Sequence, residues 1–410
     1  MYYVLCEDVY LVEGNAKSCL YDLKNGRLYS INQVLADKIK LINDGEIEEK
    51  NVKPELKEVL DTFIDRELIE LSSTPKSHWI DEIKDKDHGC QFAWVEITSK
   101  CNLKCTHCYN ESDVRCDSVM TLEDYQKVID LLTDMNVPKI QIIGGEPFFD
   151  KEMLKNMLDY VIGKFEYIEI FTNGTLITEP WFEYLSENNI HIALSVYSYN
   201  ADMHDKVTGV KGSLLRTNKT IARLKEHGIP YRVCNVLMKD IAIGEKKHDL
   251  YTLSDDKDIV RMSGRANFSL LTDELIRKKL ITKKTFQIPV RKAFCKRLIS
   301  GHNCFRDKMY ISANLEVFPC VMERRMKHCV INNTDKIELD DKIRYLTKDS
   351  IEECKMCEYR YACFDCRPNA LTNNIYEKPW YCTYHPKLGE WENEEEFILN
   401  LKELVANLSN

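Results

Sequence analysis

Cys101-Asn-Leu-Lys-Cys105-Thr-His-Cys108 follows directly on the apolar run Phe92-Ala-Trp-Val-Glu-Ile-Thr98. The run reads as a strand, and one turn of loop at its C-terminal end can point all three sulfurs at one spot. Three thiolates hold three corners of a cubane [4Fe–4S] cluster and leave the fourth iron without a protein ligand. Structural metal sites close their coordination, whereas an open position is where chemistry happens. On spacing alone the same cysteines also fit half of a zinc site, and the rest of the chain separates the two readings.

Working outward, the pattern from residue 91 alternates strand and helix. Strands are expected at Phe92–Ile97, Lys139–Ile143, Tyr167–Phe171, His191–Val196, Tyr231–Leu237 and Asp258–Val260. Helices are expected at Leu122–Thr133, Lys151–Lys164, Trp181–Asn188 and Ser213–His227, with Asp150 as a cap and Gly228 as a stop. Helical connections imply parallel strands with right-handed crossovers, hence a partial (β/α)6 barrel whose ligands sit at the strands' C-terminal ends. Gly144-Gly145-Glu146-Pro147 follows the second strand, where glycines permit close backbone approach. Thr172-Asn173-Gly174 follows the third strand, and Ser195 lies in the fourth. Arg216 reads either as a carboxylate or ribose ligand or as a solvated helix arginine. Arg261 and Arg265, after the sixth strand, read as ligand contacts or as a structural turn.

The C-x3-C-x2-C spacing followed by Tyr109 resembles the radical S-adenosylmethionine (SAM) superfamily. The resemblance implies that the open iron chelates SAM, that Gly144, Gly145, Glu146 and Pro147 grip its amino group, and that Tyr109, Asn173, Ser195 and Arg216 belong to the cofactor site. Further on stand Cys304, Cys320, then Cys354-Lys-Met-Cys357 through Cys363-Phe-Asp-Cys366, then Cys382. This resembles the SPASM extension, which carries two auxiliary [4Fe–4S] clusters. The family pattern gives Cys354, Cys357, Cys363 and Cys382 to one cluster. It gives Cys304, Cys320 and Cys366 to the other, with either Cys295 as fourth ligand or one iron left open. Two residues rather than three separate Cys363 from Cys366, and Leu315 stands where the family has glycine. Tyr361–Pro368 and Lys378–Cys382 look like the SPASM proteins encoded beside grasp-type peptide ligases. A zinc knuckle is the alternative for the C-terminal cysteines.

Residues 1–75 read as a separate unit. Strand-like runs at Tyr2–Leu5, Val9–Val12, Ser18–Tyr21 and Leu28–Ser30 precede helices at Asn32–Asn43 and Lys53–Arg66, and Leu68–Leu71 closes as a strand. The pattern is winged-helix-like and resembles the leader-peptide recognition domain in front of peptide-modifying radical SAM enzymes, where a leader adds as a strand to a sheet edge. A capping domain or a DNA-binding winged helix are the other readings. The expected division is 1–75 leader recognition, 76–90 linker, 91–290 barrel, 291–390 SPASM domain and 391–410 closing helix.

With 410 residues, 44% apolar and 30% charged, the composition is that of a globular protein. A net charge of −9 argues against nucleic acid. No apolar run reaches membrane-spanning length and no signal peptide is visible, so a cytoplasmic location is expected. There, seventeen cysteines do not read as disulfides. Cys6, Cys19, Cys90, Cys116, Cys234 and Cys329 fall outside the clusters and read as small buried apolar groups.

The resemblance implies an enzyme that crosslinks a ribosomally made precursor peptide, with a thioether as the first product expected. Carbon–carbon or ether crosslinking, epimerisation and sulfatase-maturase-like oxidation are alternatives, and a non-enzymatic Fe–S or zinc scaffold is the reading from another class. The cofactors implied are SAM and three [4Fe–4S] clusters, and the partners are the precursor and a flavodoxin- or ferredoxin-type electron donor. No general base is visible.

Overall fold

The computed structural model describes residues 1–255, 258–331 and 336–408. The chain begins with β1 (Tyr2–Leu5), β2 (Val9–Val12), β3 (Lys17–Asp22), β4 (Arg27–Asn32), α1 (Gln33–Asn43), α2 (Pro54–Asp65) and β5 (Ile69–Ser72). Strands β2, β3 and β4 form an antiparallel sheet, and β1 pairs with β5. Asn32 caps α1 by accepting from the Leu35 N–H at 2.9 Å. Val9, Leu11 and Leu20 pack on α1 and α2, while Tyr10, Val12, Cys19 and Tyr21 point to the other face. That other face is buried too, against Cys295, Ile299, Tyr359, Tyr361 and Tyr384 of the C-terminal region. The first unit is therefore one layer of a larger body.

Residues 76–90 are tied down along their length. Asn43 exchanges hydrogen bonds with the His78 backbone at 2.8 and 3.1 Å, and Arg344 grips Asp87 at 2.7 Å.

The central layer follows as β6 (Phe92–Thr98), α3 (Leu122–Asp134), β7 (Lys139–Gly144), α4 (Lys151–Val161), β8 (Tyr167–Thr172), α5 (Glu179–Glu187), β9 (His191–Ser195), α6 (Ala201–Thr208), α7 (Ser213–Glu226) and β10 (Tyr231–Cys234). Strands β6 to β10 are parallel neighbours in chain order. Asp150 caps α4, accepting from the Met153 N–H at 3.0 Å, and Gly228 takes a positive φ just past α7.

The sixth strand differs from the expectation. Asp258–Val260 makes only an isolated parallel bridge, Leu237 to Ile259. The sixth parallel strand is instead β11, from the C-terminal region, which pairs with β6 at the opposite edge. That region contains α8 (Asp273–Lys279), α9 (Lys292–Ile299), β11 (Lys308–Ile311), β12 (Glu316–Phe318), β13 (Cys329–Val330), α10 (Asp341–Arg344), β14 (Tyr384–His385), β15 (Glu390–Trp391) and α11 (Glu394–Leu408). The eight-stranded sheet thus runs β10-β9-β8-β7-β6-β11-β12-β13. Among the described residues no helix is long and apolar enough to cross a membrane.

Candidate active site

A cavity of about 330 Å³ opens at the C-terminal ends of β6 to β10. Cys101, Cys105 and Cys108 line it together with Tyr109, Gly144, Gly145, Asn173 and Ser195. Its volume lies in the range of small-molecule sites.

The cysteine loop is held from three sides. The Lys104 and Thr106 N–H groups donate to the Thr208 and Val207 carbonyls at the end of α6, at 2.9 and 3.0 Å. On the β7 side, Gly145 N–H donates to the Thr98 carbonyl at 2.7 Å and Glu146 N–H to the Lys100 carbonyl at 2.8 Å. A Cβ on Gly145 would stand 2.3 Å from the Lys100 oxygen, and one on Gly144 2.5 Å from the Thr98 oxygen. These glycines therefore serve the packing of one loop on another, besides facing the cavity. The third contact is Arg265. Its N–H donates to the Cys108 carbonyl at 3.0 Å, and its guanidinium to the carbonyls of Cys105 at 3.2 Å, Ser112 at 3.0 Å and Glu111. Arg265 is a clasp on the cysteine loop.

Glu146 is fully buried, and its carboxylate accepts from Thr172 Oγ1 at 2.7 Å, Asn173 N–H at 2.8 Å and Phe148 N–H at 2.9 Å. Burial raises its pKa against these three donors. Its carboxylate ties the end of β7 to the end of β8, and the adjoining Pro147 is buried as well. Asn173 bonds Asn102 at 2.9 Å and reaches toward Cys101 Sγ at 3.9 Å. Arg216 is exposed on α7 and absent from the cavity wall. Tyr197, His204 and Thr208 line the cavity from α6 and the turn before it, a segment the sequence reading passed over. Asn200, which caps α6, and Gly209, left-handed at its end, are the signals that mark it.

Burial pushes the Cys101 thiol well above its ordinary pKa, reinforced by Glu146, and pushes Cys105 up to about 12. Bare, these thiols keep their protons near neutrality, so a soft metal group that takes up thiolates displaces those protons on binding. Three sulfurs on one cavity wall are a donor set that fits an iron–sulfur cluster. Among the described residues no three His, Cys, Asp or Glu side chains converge as a single metal ion requires.

The C-terminal cysteines fall into two places. Cys354, Cys357, Cys363 and Cys382 all line one small cavity of about 20 Å³, with Lys348 and Arg360 beside them. Cys304, Cys320 and Cys366 lie near one another: burial first, with Cys366 and Cys304 adding to it, pushes the Cys320 thiol up to about 12. Arg261 lies close enough to Cys366 for the two to interact electrostatically, pairs with Asp258 at 3.5 Å, and also lines the barrel cavity. It stands between this second trio and the first. Cys295 does not join them. It is fully buried in the apolar layer beneath β2 and β3, beside Cys19 and Tyr21. The position on α9 turns it toward the N-terminal sheet, away from Cys304.

Six parallel strands, a three-cysteine loop at their C-terminal ends and a glycine-rich turn packed on that loop define a radical SAM domain. Residues 95–249 match the family described as the Radical SAM superfamily. Its cofactors are SAM and [4Fe–4S]. The chain is 33% identical over 215 residues to the antilisterial bacteriocin subtilosin biosynthesis protein AlbA of Bacillus subtilis strain 168, a match covering 52% of this chain and 46% of AlbA. It therefore spans about half of that relative. The crystal structure of Streptococcus suis SuiB superposes with a TM-score of 0.51 at 15% identity, over 93% of this chain and all of SuiB. Native anSMEcpe with bound AdoMet gives 0.50 at 17% identity, over 77% of this chain and 99% of that one. With both solved structures the likeness is one of fold.

Proposed function

We propose that this protein is a maturase that crosslinks a ribosomally synthesised precursor peptide, with a thioether as the bond formed. The observation that carries the reading is Arg261, which joins the barrel cavity to a second cysteine set. Cys101, Cys105 and Cys108 would hold the SAM-binding cluster. Cys354, Cys357, Cys363 and Cys382 would hold one auxiliary cluster, and Cys304, Cys320 and Cys366 another with one corner open to a substrate thiolate. When bound, SAM and the reduced cluster would supply a 5′-deoxyadenosyl radical to take a hydrogen atom from a substrate carbon, and an auxiliary cluster would accept the remaining electron as the peptide thiolate, its proton lost, bonds to that carbon.

The chain's residues perform the remaining tasks. Glu146 and Arg265 fix the cysteine loop relative to β7 and β8. The walls from β8, β9 and the turn before α6 (Phe171, Ser195, Tyr197) exclude water from the reacting carbon. Arg261 presents a cation where a thiolate or carboxylate of the peptide would arrive. Strand β4 pairs on one side only, so its outer edge is open to a leader segment by strand addition. Similarity to AlbA, named for bacteriocin biosynthesis, supports a peptide product, as does the solved complex of SuiB with precursor peptide SuiA, at a TM-score of 0.50.

Anaerobic incubation with SAM, a flavodoxin- or ferredoxin-type donor and the co-encoded precursor tests the proposal. A crosslink removes two hydrogens from the peptide mass. An unchanged mass with inverted stereochemistry would mean epimerisation, and absence of 5′-deoxyadenosine would overturn the enzyme reading. Replacing Cys101, Cys105 or Cys108 by Ala is expected to abolish 5′-deoxyadenosine formation, whereas Cys354→Ala or Cys363→Ala impairs product more than cleavage.

A further inference from the structure

Away from the barrel, a groove of about 340 Å³ runs between the segment 369–380 and α11. One of its walls is an apolar stripe. Phe397, Leu401, Leu404 and Leu408 recur at helical spacing on α11 and all line the groove. Phe397, Ile398, Leu401 and Val405 dock α11 on the core, so Leu404 and Leu408 are the part of the stripe that this docking leaves open. Leu404 and Leu408 stay 50% and 54% exposed. Apolar side chains left open along a concave wall mark a binding surface more than scattered surface leucines do.

The floor is polar and incomplete. Asn369 is 1% exposed and lines the groove; its Oδ1 accepts from the Met262 N–H at 3.1 Å, but its Nδ2 has no partner among the described residues. Trp380 Nε1, in the same floor, is likewise buried without a partner. Both atoms are closed off from solvent, so a ligand acceptor reaches them once these side chains turn toward the groove, and the gain is relief of an unpaired buried donor, which costs about 1–3 kcal/mol. Backbone carbonyls are such acceptors. The rim is acidic. Glu353, Glu377 and Glu392 line it against Arg367 and Lys378; Arg367 is taken up by Asp365 at 2.7 Å, and among the described residues only Glu353 of the three has a lysine partner, Lys378 at 3.3 Å. Glu392 is held by His385 at 3.0 Å, and Glu377 by the Thr372 hydroxyl.

We propose that this groove binds an extended segment of the precursor peptide, one with an apolar side chain flanked by basic residues. The apolar wall takes the side chain, the floor donors meet its carbonyls, and the carboxylate rim meets its cations. Cys382 lines both this groove and the four-cysteine cavity, so a seated peptide covers that flank of the cysteine set. The β14–β15 hairpin joins the groove to the N-terminal sheet: Glu392 follows the hairpin, and Ala16 N–H, at the start of β3, donates to the Pro386 carbonyl at 3.3 Å. A chain held along the sheet would reach the groove across this hairpin. The acidic rim disfavours an electron donor with an acidic docking face. The inference rests on the reading that the substrate is a peptide.

The test uses the full-length, cluster-reconstituted protein and fluorescein-labelled dodecapeptides carrying photo-leucine. One alternates Leu with Lys, a second Leu with Glu, a third Ser with Lys. The expected result is that the Leu/Lys peptide binds about tenfold tighter than either other, with photo-adducts within 369–380 and 397–408. Leu404→Lys is expected to weaken it about tenfold, and Trp380→Phe about threefold, with folding checked by thermal melting. Equal binding of the three peptides, adducts elsewhere, or indifference to both substitutions would overturn the proposal. So would slower reduction of Leu404→Lys by a flavodoxin with unchanged peptide binding, which would assign the groove to the donor. Mass analysis of the precursor on the same samples separates the two readings. Binding without modification sinks the maturase proposal and leaves the groove standing; modification with no selective binding does the reverse.

Discussion

Gly264 shows how closely the site is built. It sits at φ +59°, and a Cβ there would stand 2.4 Å from the Cys108 carbonyl oxygen and 2.5 Å from that of Tyr109. Gly264→Ala adds backbone strain of about 1–3 kcal/mol and pushes on the cysteine loop at once. We expect it to lower bound iron and 5′-deoxyadenosine yield together, while Gly163→Ala, whose Cβ meets nothing within 4 Å, changes neither. Cys295 makes the opposite case. Its replacement by Ala is expected to leave iron per chain unchanged after anaerobic reconstitution and to cost about 1–2 kcal/mol through lost packing. Cys366→Ala is expected to lower the iron instead. The family resemblance brought Cys295 forward as a fourth ligand, and a sequence pattern carries no information about which way a helix faces. For Cys101, Cys105 and Cys108 the loop is so short that spacing and geometry coincide. Arg216 and Arg265 show the same limit. Both looked equally available, and only tertiary placement separates an exposed helix residue from a clasp on three carbonyls.

At the scale of elements, most helices and strands of the central layer were legible, because each carries one apolar face and a cap or glycine stop. The N-terminal strands were found as apolar runs, but their surroundings were not. Val9-Tyr10-Leu11-Val12 lacks alternation because both faces of β2 are covered, and that continuity was the available sign of a second packing partner. The pairing of β11 with β6 was hidden, since register between distant segments leaves no local mark. The segment 76–90 reads as polar linker and acts as a strap. There, burial would raise the Asp87 pKa, but the Tyr345 hydroxyl and Arg344 guanidinium outweigh it and hold the carboxyl at about 2, below its ordinary 3.8. A depressed carboxyl pKa adds stability above the unfolded value and loses it as pH falls through the folded one. Because Asp87 is partly exposed, its contribution is discounted to about 1 kcal/mol. Asp87→Asn should therefore lower stability by about that amount at pH 7, with the difference from wild type closing between pH 4 and pH 2. A constant difference across that range in urea titrations would remove the ion pair from the account.

For the whole molecule, the N-terminal unit and the C-terminal cysteine region share one apolar layer, stitched at its rim. Tyr21 Oη donates to the Glu358 carbonyl at 2.9 Å, Asn15 N–H to the Met356 carbonyl at 2.8 Å, and Arg360 to the Glu13 carbonyl at 2.6 Å. Tyr21→Phe leaves a buried carbonyl short of a donor and is expected to cost about 1–2 kcal/mol in denaturant unfolding. Deleting residues 1–75 strips the cover from Tyr359, Tyr361 and Tyr384, and the expected outcome is an aggregating protein rather than a catalytic core lacking only substrate recognition.

The pairing of Phe92–Val95 with Lys308–Ile311 also bears on the order of events at the ribosome. Strand β6 is synthesised long before β11 exists, so the nascent sheet has a bare edge beside the strand that carries the cysteine loop. Closing so large a loop is slow, and a bare edge invites intermolecular pairing while it waits. Translational pausing or truncation before residue 308 should therefore yield insoluble chains.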